Sequence, residues 1–467
     1  MENSNLETFW NIIEPKKAGD AKKIVFNLDK YLHWIQGRGF FKKDNGDGGF
    51  LLVRILDNIV SQVYQHMISS HILAYLRSLW YGNNYNKMTS ESVFYLLETR
   101  EIDFYRDNMY QAKIFFSNGI IHIGKDNIDL VPYKDFDGVI WSDQIIRREI
   151  VIEDFKDQGM FEMFLSNIFG MDEKNLGSVM TAIGYLLHNY KPTSYAPAIV
   201  LNDKVISDNP DGGTGKGIFA KAIGQFKNGV TIDGKSFDFN KSFAFQRVEQ
   251  FTDLLVFDDV KANFSFEKLF SIITEGITVE KKNKGEFFIP FEHSPKILIT
   301  TNYALKGEGN SIERRKVDFE LEQYYAQQKT PMDEFGKMFF SEWNTQEWSQ
   351  FDNFMLHCVQ RYLKSGILLP KNENLAQKRL TANTCSAFID FMDDFNELGK
   401  EIGKNKMLTR FLDATNMRQV KSNTLTKWLK LYCDFHKLKF VEGRKHGERT
   451  VTIGYVEGEQ SKLDGFK

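Results

Sequence analysis

Eight residues, Pro210-Asp211-Gly212-Gly213-Thr214-Gly215-Lys216-Gly217, concentrate the most recognisable chemistry in the chain. Glycines let backbone N–H groups turn inward on an anion, and a lysine at the start of a following helix adds positive potential. That arrangement is a P-loop, which cradles nucleotide phosphates. The expected ligands are ATP, held by Gly212, Gly213, Thr214, Gly215, Lys216 and Gly217, and Mg²⁺. Two residues depart from the usual pattern: Pro210 replaces its first glycine, and Gly217 replaces the Ser/Thr whose hydroxyl meets the metal. Thr214, a water or downstream acids must then supply that ligand.

Downstream, the apolar run Leu254-Leu-Val-Phe ends in Asp258-Asp259. A strand of this kind delivers carboxylates to the C-terminal edge of a parallel sheet, where nucleotide sites lie. Asp258 is expected to bind Mg²⁺, through water, and Asp259 to polarise the attacking water. A second run, Lys296-Ile-Leu-Ile-Thr300-Thr301, ends in Asn302. An amide beside the acids can orient the lytic water and sense the γ-phosphate. Arg314-Arg315 follow on a segment leading back into a strand, suited to an arginine finger reaching a neighbour's ATP. The spacing does not choose between the two. Between acids and Asn lies Ile277–Pro290, an alternating hairpin with a basic tip at Lys282-Asn283-Lys284-Gly285.

The order of P-loop, Asp-Asp strand, lysine-tipped hairpin, Asn-ending strand and Arg-Arg resembles superfamily 3 helicases. These are AAA+-related motors of small DNA viruses, phages and plasmids. The likeness is greatest to the phage and plasmid primase-helicase group related to poxvirus primase-helicases. Upstream, Phe116-Ser-Asn118-Gly119-Ile-Ile-His-Ile, Val131-Pro132 and the run to Gly184-Tyr185-Leu resemble the region before the motor in that group. The resemblance spans about residues 110–345. It implies a homo-hexamer whose hairpins line a channel and grip single-stranded DNA through Lys282 or Lys284, with Lys281 a flanking candidate. No Asp-x-Asp/Glu strand with a later His and carboxylate stands out. Asp103, Asp135 and Asp137 read as turn acids, and primase activity is not expected.

The elements that must position these residues follow from periodicity. Residues 196–345 alternate short β-branched runs (Ala198–Leu201, Leu254–Phe257, Lys296–Thr300) with helical stretches, the rhythm of an α/β AAA+-like domain with a parallel sheet. Residues 1–105 read as an α/β region with a hairpin (39–53) and a helix over Ile55–Trp80. Residues 106–195 read as β-rich (Ala112–Phe116, Ile120–Ile123, Ile128–Val131), then helical over Ile150–Tyr190, up to a break at Lys191–Pro197. Residues 346–467 read as a helical linker, polar at Glu373–Gln377, and a winged-helix-like domain. In 403–449, 12 Lys/Arg face 4 acids. The expected duplex-DNA contacts there are Lys427, on a recognition helix at Thr424–His436, and Arg444, Lys445 and Arg449 on the wing. Trp428 reads as core.

Bulk properties constrain the rest. Lys plus Arg (60) nearly balance Asp plus Glu (62), so the surface is not uniformly basic, though a ring can keep its basic residues in a channel. Cys358, Cys385 and Cys433 are scattered, which predicts reduced thiols and no zinc site. No apolar run approaches membrane-spanning length and the first residues carry no leader pattern, so no membrane partner is expected. The expected location is the cytoplasm, a host's if a phage encodes the chain. Function reads as an ATP-dependent DNA helicase in replication of a phage or mobile element. A replication initiator with little unwinding, or a weakly hydrolysing nucleotide-binding scaffold, are the alternatives.

Overall fold

In Ala198–Asp203, side chains alternate between two apolar layers, as a doubly covered strand requires: Ile199 and Leu201 enter one core, Ala198 and Val200 another. In the computed structural model this strand belongs to a five-stranded parallel sheet. Its order across the sheet is 229–233, 254–260, 296–301, 198–203, 316–321. The structure describes residues 9–14, 23–45, 48–78, 88–170, 172–204, 213–282, 285–305, 310–325, 329–372, 374–415, 417 and 419–455. The Asn-bearing strand therefore lies between the P-loop strand and the acid strand, and every strand of the sheet runs the same way.

One face of the sheet packs on the helices Lys216–Gly224, Met160–Phe169, Glu173–Leu187 and Thr345–Ser365. That core also takes in Ala112, Ile114 and Phe116, so residues from 112 to 363 share it across the turn at 191–197. The opposite face buries Phe257, Phe264, Phe266 and the hairpin Gly276–Val279/Phe287–Pro290.

Upstream, the antiparallel strands Ala112–Phe116, Gly119–Ile123 and Ile128–Val131 form as the sequence indicates. A four-stranded sheet (40–44, 50–56, 59–62) takes its last strand from Ile140–Trp141. The helix expected over Ile55–Trp80 begins only at Gln65 and runs to Ser78. Its expected first turns are instead a hairpin, Phe50–Leu56 with Ile59–Gln62. Asp57 turns the chain there at φ 52°, a left-handed conformation that Asp tolerates. The expected helix over Ile150–Tyr190 is likewise two helices, separated at Gly170, φ 76°.

In the tail, Leu375–Asn383 is a helix where a polar linker was expected. Ser386–Asp393, Lys404–Thr415 and Ser422–Phe435 then pack on a three-stranded antiparallel sheet of Glu401–Gly403, Glu448–Tyr455 and Leu438–Lys445. Phe388, Phe411, Leu425 and Leu429 fill this separate core, with Trp428 half-buried against it.

Candidate functional site

Pro210 and Gly212 lie outside the described residues, so the loop is described from Gly213 onward. Gly213 and Gly215 take φ 81° and 101°, and at Gly215 a Cβ would meet the Phe164 ring at 2.7 Å. Only glycine satisfies both demands there. Gly215 ends the turn and Lys216 opens the helix, so the described end of the loop runs directly into a helix N-terminus, whose dipole favours an anion.

Lys216 is buried. Its Nζ donates to Asp203 Oδ1 (2.5 Å) and Thr214 Oγ1 (3.0 Å), and the Thr214 hydroxyl donates to the same carboxylate at 2.6 Å. Burial pulls the ammonium below its ordinary range, opposed first by Asp203 and then by Asp259 and Asp258. Lysine and acids thus share one electrostatic environment. Sequence reasoning passed over Asp203. The signal was its parity: it follows Ile199 and Leu201 onto the face covered by the P-loop helix.

The same parity places Asp258 after Leu254 and Val256, and Thr300 after Leu298. Thr300 joins the two acids: its hydroxyl donates to Asp258 Oδ1 (2.6 Å) and accepts from the Asp259 backbone N–H (2.7 Å). A register shift between Phe257 and Val260, with Asp259 at φ 55°, turns the second acid out of strand alternation. Its carboxylate then meets the Asn302 amide at 3.4 Å and the Lys235 ammonium, whose hydrogen bond to Asp259 holds that lysine above its ordinary range. Thr300 and Lys235 are further site residues absent from the sequence reading.

Asn302 Oδ1 is buried and accepts no hydrogen bond among the described residues. An orphaned acceptor on an amide that meets the Asp259 carboxylate suits a water. For the metal, the donors at hand are the carboxylates of Asp258 and Asp259. Among the described residues no group of three or more His, Cys, Asp or Glu gathers. Mg²⁺ does not need one, since it is commonly held by one or two carboxylates, waters and substrate phosphates. Gly217 is exposed, and a Cβ there would meet nothing within 4 Å.

The arginines part company. Arg315 is half-buried: its Nη1 donates to Ser311 O and Oγ (both 2.7 Å), and its guanidinium lies 4.4 Å over the Phe270 ring. Arg314 is exposed.

At the hairpin, Lys281 is turned back onto Glu249 (2.5 Å), 5.4 Å over the Phe287 ring. Lys282 is exposed and Lys284 lies outside the described residues. In the tail, Lys427, Arg444, Lys445 and Arg449 are all exposed, with Lys445 3.9 Å from Glu401. Glu442 sits between Lys404 (2.6 Å) and Lys430 (2.5 Å), which hold its carboxyl down at about 2.

Residues 209–315 match the model of a family of unknown function, DUF5906. No curated protein matches the chain. Among solved structures, two apo A-form structures of the NrS-1 C-terminal region superpose with a TM-score of 0.45 at 12% identity. They cover 91% of this chain and 98% and 99% of theirs. A JCV helicase bound to a thiazolopyridine-phenoxyphenyl acetamide gives a TM-score of 0.27 at 11% identity, over 58% of this chain and 65% of that one.

Proposed function

We propose that this chain is an ATP-driven DNA helicase, working as a ring, a homo-hexamer, in replication of a phage or other mobile element. One observation carries the reading. Lys216, the Asp258–Asp259 pair and Asn302, from three separate segments, converge at the C-terminal edge of one parallel sheet beside a helix N-terminus.

Lys216 and the loop amides bind the phosphates, and Asp203 holds the lysine in place until they arrive. Asp258 is the metal's carboxylate; when bound, Mg²⁺ neutralises charge on the transferred phosphoryl group. Asp259, with Asn302 fixing its direction, takes the proton of the attacking water. Thr300 sets the angle of both acids. Arg314 is the better finger, because Arg315 is spent on Ser311 and Phe270 within its own subunit. DNA contact falls to Lys282 and Lys284 in the channel and to Lys427, Arg444, Lys445 and Arg449 on the winged-helix-like module. Lys281 is committed to Glu249.

The test pairs two variants. Lys216→Ala is expected to abolish DNA-stimulated ATP hydrolysis, and its survival there would sink the assignment. The Lys282→Ala/Lys284→Ala double variant is expected to keep ATP hydrolysis and lose strand displacement. An unmodified chain that hydrolyses ATP and binds duplex but releases no strand would be an initiator instead.

A further inference from the structure

A second cavity lies at the opposite edge of the motor sheet, where the chain enters the strands at Leu254 and Lys296. It holds about 340 Å³ between the N-terminal sheet, the segment entering the acid strand and the hairpin. On one side Phe104 stacks on Trp141, ring centroids 4.6 Å apart and 11° from parallel, with Phe251 against Trp141 at 5.1 Å. On the hairpin side is Phe288, 59% exposed although its strand neighbours Phe287 and Ile289 are buried. Its ring lies over the backbone of Gly276 on the paired strand, where a Cβ would stand 2.8 Å away. One edge of the ring is thus fixed by backbone while the ring itself lines the cavity.

Packing accounts for Trp141, which belongs to the small core of Val53 and Val60. It does not account for Phe288, more than half of whose surface is exposed. The charged groups are of two kinds. Arg106 donates to the Glu292 carbonyl (3.3 Å), and Lys43 donates to Gln250 Oε1 and to the Asp44 carbonyl (both 3.0 Å), which leaves the guanidinium several N–H groups and the ammonium one. Asp103 and Asp253 are acids, and burial pushes the Asp253 carboxyl above its usual range. Flat aromatic surfaces beside cations are what a base and its phosphate require, whatever the sequence, and an acid can meet a base edge. The volume sits near the lower end for small-ligand sites.

We propose that this cavity holds one nucleotide unit, its base against Phe288 and the Phe104–Trp141 pair and its phosphate on Arg106 and Lys43. The inference rests on the DNA-motor reading and deepens it: the hairpin that carries Lys282 also carries the platform, so a strand touching the tip passes the cavity mouth. The same chemistry would accept a free mononucleotide.

The full chain is to be photo-crosslinked to a single-stranded oligonucleotide carrying 4-thiothymine, with attachment points mapped by peptide mass spectrometry. Anisotropy titrations of Phe288→Ala and Arg106→Gln accompany it, with thermal midpoints checked to separate lost binding from lost fold. Attachment within 102–106 or 287–290 is expected, with Phe288→Ala weakening the oligonucleotide roughly ten- to hundredfold. Displacement of that crosslink by excess thymidine monophosphate would identify a mononucleotide as occupant, and its persistence would identify a polymer; either supports the site. Attachment confined to the hairpin tip and the basic tail, with both variants binding normally, overturns the cavity and spares the motor. An unmodified chain that binds no oligonucleotide overturns both.

Discussion

Thr300 offers one hydroxyl to two acids, and removing it separates geometry from charge. Thr300→Val keeps the shape but leaves the Asp259 N–H and the Asp258 carboxylate each short of a partner. The unpaired N–H should cost about 1–3 kcal/mol of stability. ATP turnover should fall roughly 10- to 100-fold, as when a metal site loses its supporting hydrogen bonds. Steady-state hydrolysis beside a urea melt reads both, and unchanged turnover would remove Thr300 from the site. Gly217 permits the opposite manipulation. Its Cβ position is open, so Gly217→Ser can restore a hydroxyl without displacing a neighbour. The Mg²⁺ concentration for half-maximal hydrolysis should drop by roughly tenfold, equivalent to ~1.4 kcal/mol. A midpoint that does not move would mean that Thr214 or the acids already complete the shell.

At the scale of elements, the end of the helix Glu173–Leu187 is fastened by His188. Its Nε2 faces two carbonyls, Asn108 O at 2.9 Å and Gln111 O at 3.2 Å, so that nitrogen carries the proton and donates. Burial pulls the imidazole from 6.5 down to about 4. Between those values the unfolded chain binds more protons, so stability is present above pH 6.5 and is lost as pH falls toward 4. His188→Gln keeps an N–H donor and removes the titration. Its urea midpoint against pH should be flatter in that window, measured beside the unmodified chain. This clamp was not legible in the sequence, because its partners are backbone atoms some eighty residues away. The motor strands were legible, since Ile199, Leu201, Leu254 and Val256 announce themselves by β-branched and apolar runs. The Asp57 turn was not: Ile55, Ile59 and Val63 fit a helical spacing as well as a pair of strands. Lys281 illustrates the same limit at the site, where a lysine flanking the basic tip proved to belong to Glu249.

At the scale of the whole molecule, the proposed ring, with a finger on one copy and a P-loop on the next, would make each site depend on two subunits. Lys216→Ala and Arg314→Ala should each lose hydrolysis alone, while a mixture regains part of it, because some junctions pair an intact loop with an intact arginine. A mixture as inactive as its components would place both residues in one subunit's site or deny the ring. Mass measurement with an ATP analogue and single-stranded DNA gives the subunit number independently. The tail is tied into the same geography. Arg379, on the helix Leu375–Asn383, reaches Asp318 at 2.8 Å and Glu313 at 3.6 Å, beside Arg314, while Lys378 approaches Asn202 at 3.5 Å, just before the P-loop. The motor sheet adds a mechanical condition. Its two faces carry different freight: the P-loop helix, the upstream β-rich segment and the helix Thr345–Ser365 on one, the hairpin on the other. Close-packed layers barely compress, so the first assembly, which shares one core, is expected to move as a unit. If the chain is the motor proposed above, a power stroke would then be a tilt of the plate as a whole, with the hairpin on its far side carried along like a pawl on a rigid arm.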